Sequence, residues 1–230
     1  MGNIQHWRFL NSGPGEAAFN MALDEALLGA LPRLGQPVLR CYGWTEPAAT
    51  FGYFQKHAEV ESATFLRPLI RRPTGGGIVP HDADWTYSLA FPTTHEWYSL
   101  RAEDSYRRAH AWIQAAFALL GVATELAPCC KKSRPGQCFV GHEKSDVLWH
   151  GKKIAGAAQR RNKFGLLIQG SVQPPPLGLA RADWERALRD TAEHDLGGEG
   201  VQLVPDRVLQ ERTNALVRQK YLQDGYNRRR

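Results

Sequence analysis

Arg71-Arg72-Pro73-Thr74-Gly75-Gly76-Gly77-Ile78-Val79-Pro80-His81-Asp82 runs two cations into three glycines and then, over a short apolar step, into a His-Asp pair. Glycine has no Cβ, so its N–H can approach a ligand closely and its backbone can take positive φ at little steric cost. Successive N–H groups form an anion-binding concavity, to which nearby guanidiniums add charge-assisted donors. Read alone, the stretch is equally a flexible turn with solvated arginines. Its flanks place it in a sheet: 69–72 reads as a strand entering the glycines and 78–81 as a strand leaving them.

Working outward, 38–44 and 50–54 read as strands, with Cys41 a core residue of the first, and 86–91 reads as another. Residues 16–31 keep helical period through Phe19, Leu23 and Leu27, with Pro32 as the stop. A second helix is expected over 102–120, closed by Gly121, and 122–126 returns as a strand. Farther out, 5–10 reads as an edge strand ended by Ser12-Gly13-Pro14-Gly15. Residues 147–149, 152–155 and 164–169 read as a meander ended by Pro174-Pro175-Pro176. Two amphipathic helices, 181–192 and 206–223, follow, joined by a Gly-rich linker. This order is not a regular β-α alternation. It predicts an α/β (α+β) domain over 1–225 with a mixed sheet flanked by helices, and a basic tail over 226–230.

Net charge is +6, and Arg228, Arg229 and Arg230 carry half of it in a tail expected to be disordered. The folded part is then mildly basic, which suits an anionic ligand or an acidic protein partner and argues only weakly for nucleic acid, which is not expected as a partner. No apolar run approaches the roughly 18 residues that span a bilayer. The N-terminus lacks a secretory layout, and His6 breaks the myristoylation pattern. A cytoplasmic protein without membrane attachment is expected. Cys41, Cys129, Cys130 and Cys138 form no Cys-x-x-Cys pair and suggest no disulfide framework. A metal site from Cys129, Cys130, Cys138 and His142 is disfavoured, because adjacent cysteines chelate poorly, so no metal is expected.

Two more stretches carry chemistry. In Gly151-Lys152-Lys153-Ile154-Ala155-Gly156-Ala157-Ala158-Gln159-Arg160, small residues leave room for a ligand beside an ammonium; an ordinary hairpin with solvated lysines is the plainer reading. Cys138 lies in the polar, turn-rich segment 127–145, where a nearby lysine or arginine would lower its pKa and favour the nucleophilic thiolate; read alone, an inert thiol is the plainer reading. Phosphate-binding and nucleophile-elbow motifs are absent.

In order and spacing these stretches resemble the biotin/lipoate A/B protein ligases, a family that includes lipoate–protein ligases and cysteine-dependent octanoyltransferases. The resemblance runs over most of 16–173. It begins at Asn20-Met21-Ala22-Leu23-Asp24-Glu25-Ala26, Leu39-Arg40-Cys41-Tyr42-Gly43-Trp44 and Gly52-Tyr53-Phe54-Gln55. It continues through the glycine stretch, Thr86-Tyr87-Ser88, Lys153 to Arg160, and Gln169-Gly170-Ser171. It implies a fold related to class II aminoacyl-tRNA synthetase cores and biotin-protein ligases. It also implies transfer of a medium-chain acyl group to a lysine of a lipoyl domain or glycine-cleavage H protein.

Carried over by position, Arg71, Arg72, Thr74, Gly75, Gly76, Gly77 and His81 line the ligand site, with Gly156, Ala157 and Gln159 beside it. Lys153 meets the acyl carbonyl or acyl phosphate. Trp44, Val79 and Ile154 are candidates for an apolar tunnel, and His81 is read as a structural partner of Asp82. Ala155 and Ala157 stand where relatives often have serine, and Pro80 and the Cys129-Cys130 pair also depart from the pattern.

Two enzymatic branches remain. A transferase takes octanoate from acyl carrier protein through a Cys138 thioester and needs no cofactor. A ligase makes lipoyl-AMP from ATP with Mg and usually carries a further C-terminal domain, for which 172–230 reads as too short. The transferase is the expectation; the ligase and a non-catalytic acyl-binding or lipoyl-domain-binding module are the alternatives.

Overall fold

The computed structural model describes residues 6–131 and 141–229. In chain order the elements are β1 (Trp7–Gly15), α1 (Ala17–Leu34), β2 (Val38–Trp44), β3 (Ala48–Phe51), α2 (His57–Ala63), β4 (Leu69–Arg71), β5 (Val79–His81) and β6 (Trp85–Pro92). Then come α3 (Glu96–Ser99), α4 (Ala102–Leu119), β7 (Glu125–Leu126), β8 (Val147–Trp149), β9 (Lys152–Asn162) and β10 (Gly165–Val172). The chain closes with α5 (Arg181–Leu196), β11 (Gly200–Gln202), α6 (Arg207–Leu216), a π-helical turn (Val217–Tyr221) and α7 (Asp224–Asn227).

Among the described residues one eight-stranded sheet has the order β11-β1-β2-β6-β10-β9-β8-β7. Its β11-β1 and β1-β2 pairs are parallel and the rest antiparallel. Strands β6 and β10 are buried along their whole length, because helices cover both faces. On one face α4 and α5 bury Trp85, Tyr87, Trp112, Phe117 and Trp184; on the other α1 and α6 bury Leu23, Leu27, Tyr42 and Leu167. Each large side chain removed from water contributes about 1.5–3 kcal/mol. A small sheet, β4-β3-β5, presents the glycine stretch between β4 and β5.

This mixed sheet flanked by helices is the expected class, with informative differences in detail. Pro32 lies inside α1, which runs on until Gly35, at φ 67°, donates its N–H to Leu31 O. The Ser-Gly-Pro-Gly turn is instead part of β1: a bulge at Gly13, whose N–H is taken by Asn11 Oδ1, lets the strand continue along β2. The Gly-rich linker contains β11, admitted because Gly200 leaves space for the Trp7 indole. The last expected helix, 206–223, divides into α6 and the π-helical turn, and α7 follows it. Residues 226–229, expected as a disordered tail, include a buried Tyr226 and Asn227 that pack against β4.

Candidate active site

The site rests on a buried polar network that begins in α1. Arg40 on β2 and Asp24 on α1 form an ion pair at 2.8 Å with both side chains fully buried. Arg40 also donates to Asn20 Oδ1 (2.7 Å), Asn20 O (3.0 Å) and Ser12 Oγ (2.9 Å). Asp24 accepts from Ser88 Oγ, Tyr42 OH and Gln169 Nε2. Burial and the Asp24 charge push the Tyr42 phenol well above its ordinary range, so it acts as a donor. Such a pair is tolerable only when its remaining donors and lone pairs are satisfied, as here. Gln169 then passes the order upward: its Oε1 accepts from Thr74 Oγ1 at 2.8 Å, pinning the glycine loop above the sheet.

Arg72 shapes that loop from inside. Its guanidinium donates to Gly75 O (2.6 and 3.0 Å), Gly77 O (2.8 Å) and Thr50 O (3.2 Å). In a trans peptide C=O and N–H point opposite ways, so the amides of Gly76 and Ile78 face away from Arg72. Gly76 takes φ 87°, and a Cβ there would meet Arg72 Nη2 at 2.7 Å. Gly52 packs so tightly under Gly76 O that a Cβ at 52 would overlap it. The Arg72 guanidinium is thus engaged by the loop's own carbonyls. Arg71, expected to line the ligand site, is fully buried and donates to the carbonyls of Tyr53, Gln55, Tyr226 and Asn227.

Lys153 sits on the facing strand. Its Nζ lies 2.8 Å from Asp146 Oδ2, with side-chain exposures of 7% and 0%. Asp146 also accepts from the Glu143 N–H (2.7 Å) and from Tyr106 OH (3.0 Å) on α4. A Cβ on Gly156 would stand 2.6 Å from Lys153 Nζ, and one on Gly76 would stand 3.6 Å from Ala158 Cβ. Residues two apart on a strand share a face and are separated by about 7 Å. Glycine loop and Lys153 therefore meet the same face of β9, one pleat apart, over a floor of Gly156 and Ala158.

Ser171, paired with Gly156 across the strands, shares that face and donates to Asp84 Oδ2 at 2.7 Å. Asp84 in turn holds His81 Nδ1 (2.9 Å), whose Nε2 lies 2.8 Å from Thr50 Oγ1, and Trp44 stacks on the ring at 3.8 Å. His81 thus pairs with Asp84 rather than with the exposed Asp82. A cavity of about 210 Å³ opens beside this cluster, bordered by Trp44, Glu46, His81, Asp82 and Arg181.

Other expectations divide. Ala157 and Gln159 turn towards α4: the Ala157 N–H donates to Tyr106 OH, and Gln159 bonds Ala102 O and Ser105 Oγ. Ala155 belongs to the α4–α5 core, so the hydroxyls missing at 155 and 157 would point away from the loop. Ile154 lies in that same core and Trp44 packs on the α1 side, so the two do not line one tunnel. Cys138 lies outside the described residues. Its flanks are fixed, because Lys131 and His142 exchange backbone hydrogen bonds of 2.8 and 3.0 Å. Cys129 and Cys130 are exposed, and among the described residues no metal-holding cluster occurs. Asp146 was missed; its only sequence signal is its place seven residues before Lys153, across the turn at His150-Gly151.

Residues 16–174 match the model of the lipoyl protein ligase A/B catalytic domain. The chain belongs to that family. Within it, octanoyltransferase LipM of Anoxybacillus flavithermus is 36% identical over 183 residues, covering 72% of this chain and 64% of that relative. LipM of Bacillus subtilis is 35% identical over 179 residues, with coverages of 72% and 64%. The match thus spans a little under two thirds of these relatives' length. Among solved structures, a lipoate-protein ligase A bound with ATP superposes with TM-score 0.80 at 19% identity, covering 97% of this chain and 99% of that one. A bi-partite lipoate protein ligase from Thermoplasma acidophilum, studied with its E2 lipoyl domain, gives 0.75 at 20% identity over 97% and 96%. At such identities these two establish the lipoyl-ligase fold for this chain. No helix among the described residues is long and apolar enough to cross a membrane.

Proposed function

We propose that the protein is an octanoyltransferase that carries an acyl group through a Cys138 thioester to a lysine of an acceptor domain. The observation that carries the reading is the buried Lys153–Asp146 pair, one pleat along β9 from the amides of the glycine loop. An ammonium held at that place can attract the Cys138 sulfur in its thiolate form, the nucleophilic state. Similarity to octanoyltransferases over 72% of the chain supports the same branch.

The thiolate attacks the carbonyl of an octanoyl thioester on acyl carrier protein. A new C–S bond forms to Cys138, and the carrier's sulfur leaves and takes up a proton. Backbone N–H groups near Lys153 face the tetrahedral oxyanion, where such donors are worth most, while the glycine loop binds the donor. The amine of the acceptor lysine, having lost its proton, then attacks the enzyme thioester. A C–N bond forms, the nitrogen gives its second proton to solvent, the C–S bond breaks, and Cys138 returns as thiolate. The acceptor class is a lipoyl domain or glycine-cleavage H protein. No ATP or metal enters this sequence.

Intact-mass analysis with octanoyl-acyl carrier protein and a lipoyl domain tests it. The wild-type chain gains one octanoyl group in the absence of ATP, and Cys138→Ala loses the adduct and the transfer. ATP-dependent modification that survives Cys138→Ala overturns the transferase in favour of the ligase, and transfer under neither condition favours a binding module.

A further inference from the structure

The first arginine of the glycine stretch leads to the far end of the chain. The Arg71 backbone N–H donates to Asn227 Oδ1 at 2.9 Å. Its guanidinium reaches Asn227 O (2.9 Å) and Tyr226 O (3.3 Å) on one side, Tyr53 O (2.8 Å) and Gln55 O (2.7 Å) on the other. Asn227 Nδ2 donates to Tyr221 O at 2.8 Å, and Lys220 and Tyr221 are tied to Glu25 of α1. The Arg229 guanidinium covers the rings of Tyr53 and Tyr226, at 4.1 and 4.7 Å from their centroids.

The segment 52–55 gripped in this way is the underside of the glycine loop. The Tyr53 N–H donates to Thr74 O at 2.9 Å, and Gly52 packs against Gly76 O. We infer that Asn227 is a positioning residue of the acyl site: through Arg71 the C-terminal segment 223–229 holds the underside of the glycine loop in its binding geometry. A planar guanidinium with five donors can join the carbonyls of two segments at once. If either segment withdraws, buried donors lose their partners, so the two order together. What the loop binds rests on the proposed transferase reading; the mechanical coupling does not.

The test is hydrogen exchange and steady-state kinetics on the full chain carrying Asn227→Ala. Amides of 72–78 should exchange about tenfold faster or more, while those of β10 keep their rates. KM for an octanoyl-thioester donor should rise about tenfold with kcat within about threefold. Asn227→Asp, which keeps an acceptor for the Arg71 N–H, should recover most of both effects. Unchanged exchange at 72–78, or equal acceleration in β10, overturns the inference. If Asn227→Ala does not fold, Arg229→Ala at the surface decides: faster exchange at 53–55 and 72–78 supports the coupling, and no change overturns it. Altered loop exchange in a chain without transferase activity leaves the coupling standing and removes the acyl-site reading instead.

Discussion

Arg71 and Arg72 are buried as deeply as Lys153, yet the two regions hold their cations in different ways. The described partners of the arginines are mostly backbone carbonyls, seven of them across β3, the glycine loop, 53–55 and α7. Lys153 meets a carboxylate whose other oxygen is held by Tyr106. A guanidinium spread over neutral carbonyls fixes main chain. An ammonium against one carboxylate keeps a compact charge that a neighbouring anion can share. A cation-rich motif beside a glycine run thus does not by itself mean that the cations face the ligand. Here the arginines shape the glycine loop, and the charge that the proposed mechanism sets beside the thiolate comes from the opposite strand.

The sharpest way to break this contrast is to disconnect Lys153. Asp146→Ala leaves a buried ammonium without its carboxylate and should cost about 3–5 kcal/mol of stability in denaturant unfolding. Asp146→Asn, which keeps an acceptor for Tyr106, should fold better and still lower kcat about 100-fold, the scale of losing a preorganised charge. Arg72→Lys on the other side should raise KM and leave kcat nearly unchanged. Equal kcat losses in both would abolish the division of labour.

A second measurement uses acid. His110 on α4 is fully buried beside Tyr106, with Nδ1 2.7 Å from Ser145 O, the carbonyl just before Asp146. Desolvation, larger than the opposing effect of Asp146, lowers its pKa from 6.5 to about 4. Above pH 6.5 folded and unfolded chains both carry it neutral. Below that the unfolded chain binds a proton the fold refuses, so stability falls with pH until about pH 4, by about 3 kcal/mol in all. His110→Gln should flatten this part of the stability profile. The His110 share of this loosening falls on the Lys153 side, read as acid-accelerated amide exchange at 143–147 that His110→Gln removes.

Strands and helices were legible where their period was long and unbroken. The 38–44 strand has the expected bounds, and α4 ends one residue earlier. Short elements set by tertiary contact were not: β11 exists because Gly200 fits the Trp7 ring, and α7 because Arg71 needs carbonyls. For the site, the glycine loop, Lys153 and Gly156 could be named from the chain, since small residues beside charge are a local signal. Asp146 and Asp84 could not. Each is an ordinary acidic residue in a turn-rich stretch until strand pairing sets it against Lys153 or Ser171. Arg71 looked like its neighbour because the segment that occupies it lies about 155 positions away.

The smallest expected effect separates the two roles most cleanly. Gly52→Ala keeps every charge, but its new Cβ would overlap Gly76 O, while at Gly75 a Cβ meets nothing within 4 Å. Backbone cannot yield as a flexible side-chain end can, so the loop must lift from β3, at about 1–3 kcal/mol of overpacking. Gly75→Ala should change stability by no more than about 0.5 kcal/mol. If the loop binds and Lys153 serves the thiolate, Gly52→Ala should weaken donor binding several-fold in KM and spare the rate of Cys138 acylation at saturating donor. A fall in that rate equal to the rise in KM would mean that the loop amides act in the transition state as well, and the two regions would then share the chemistry.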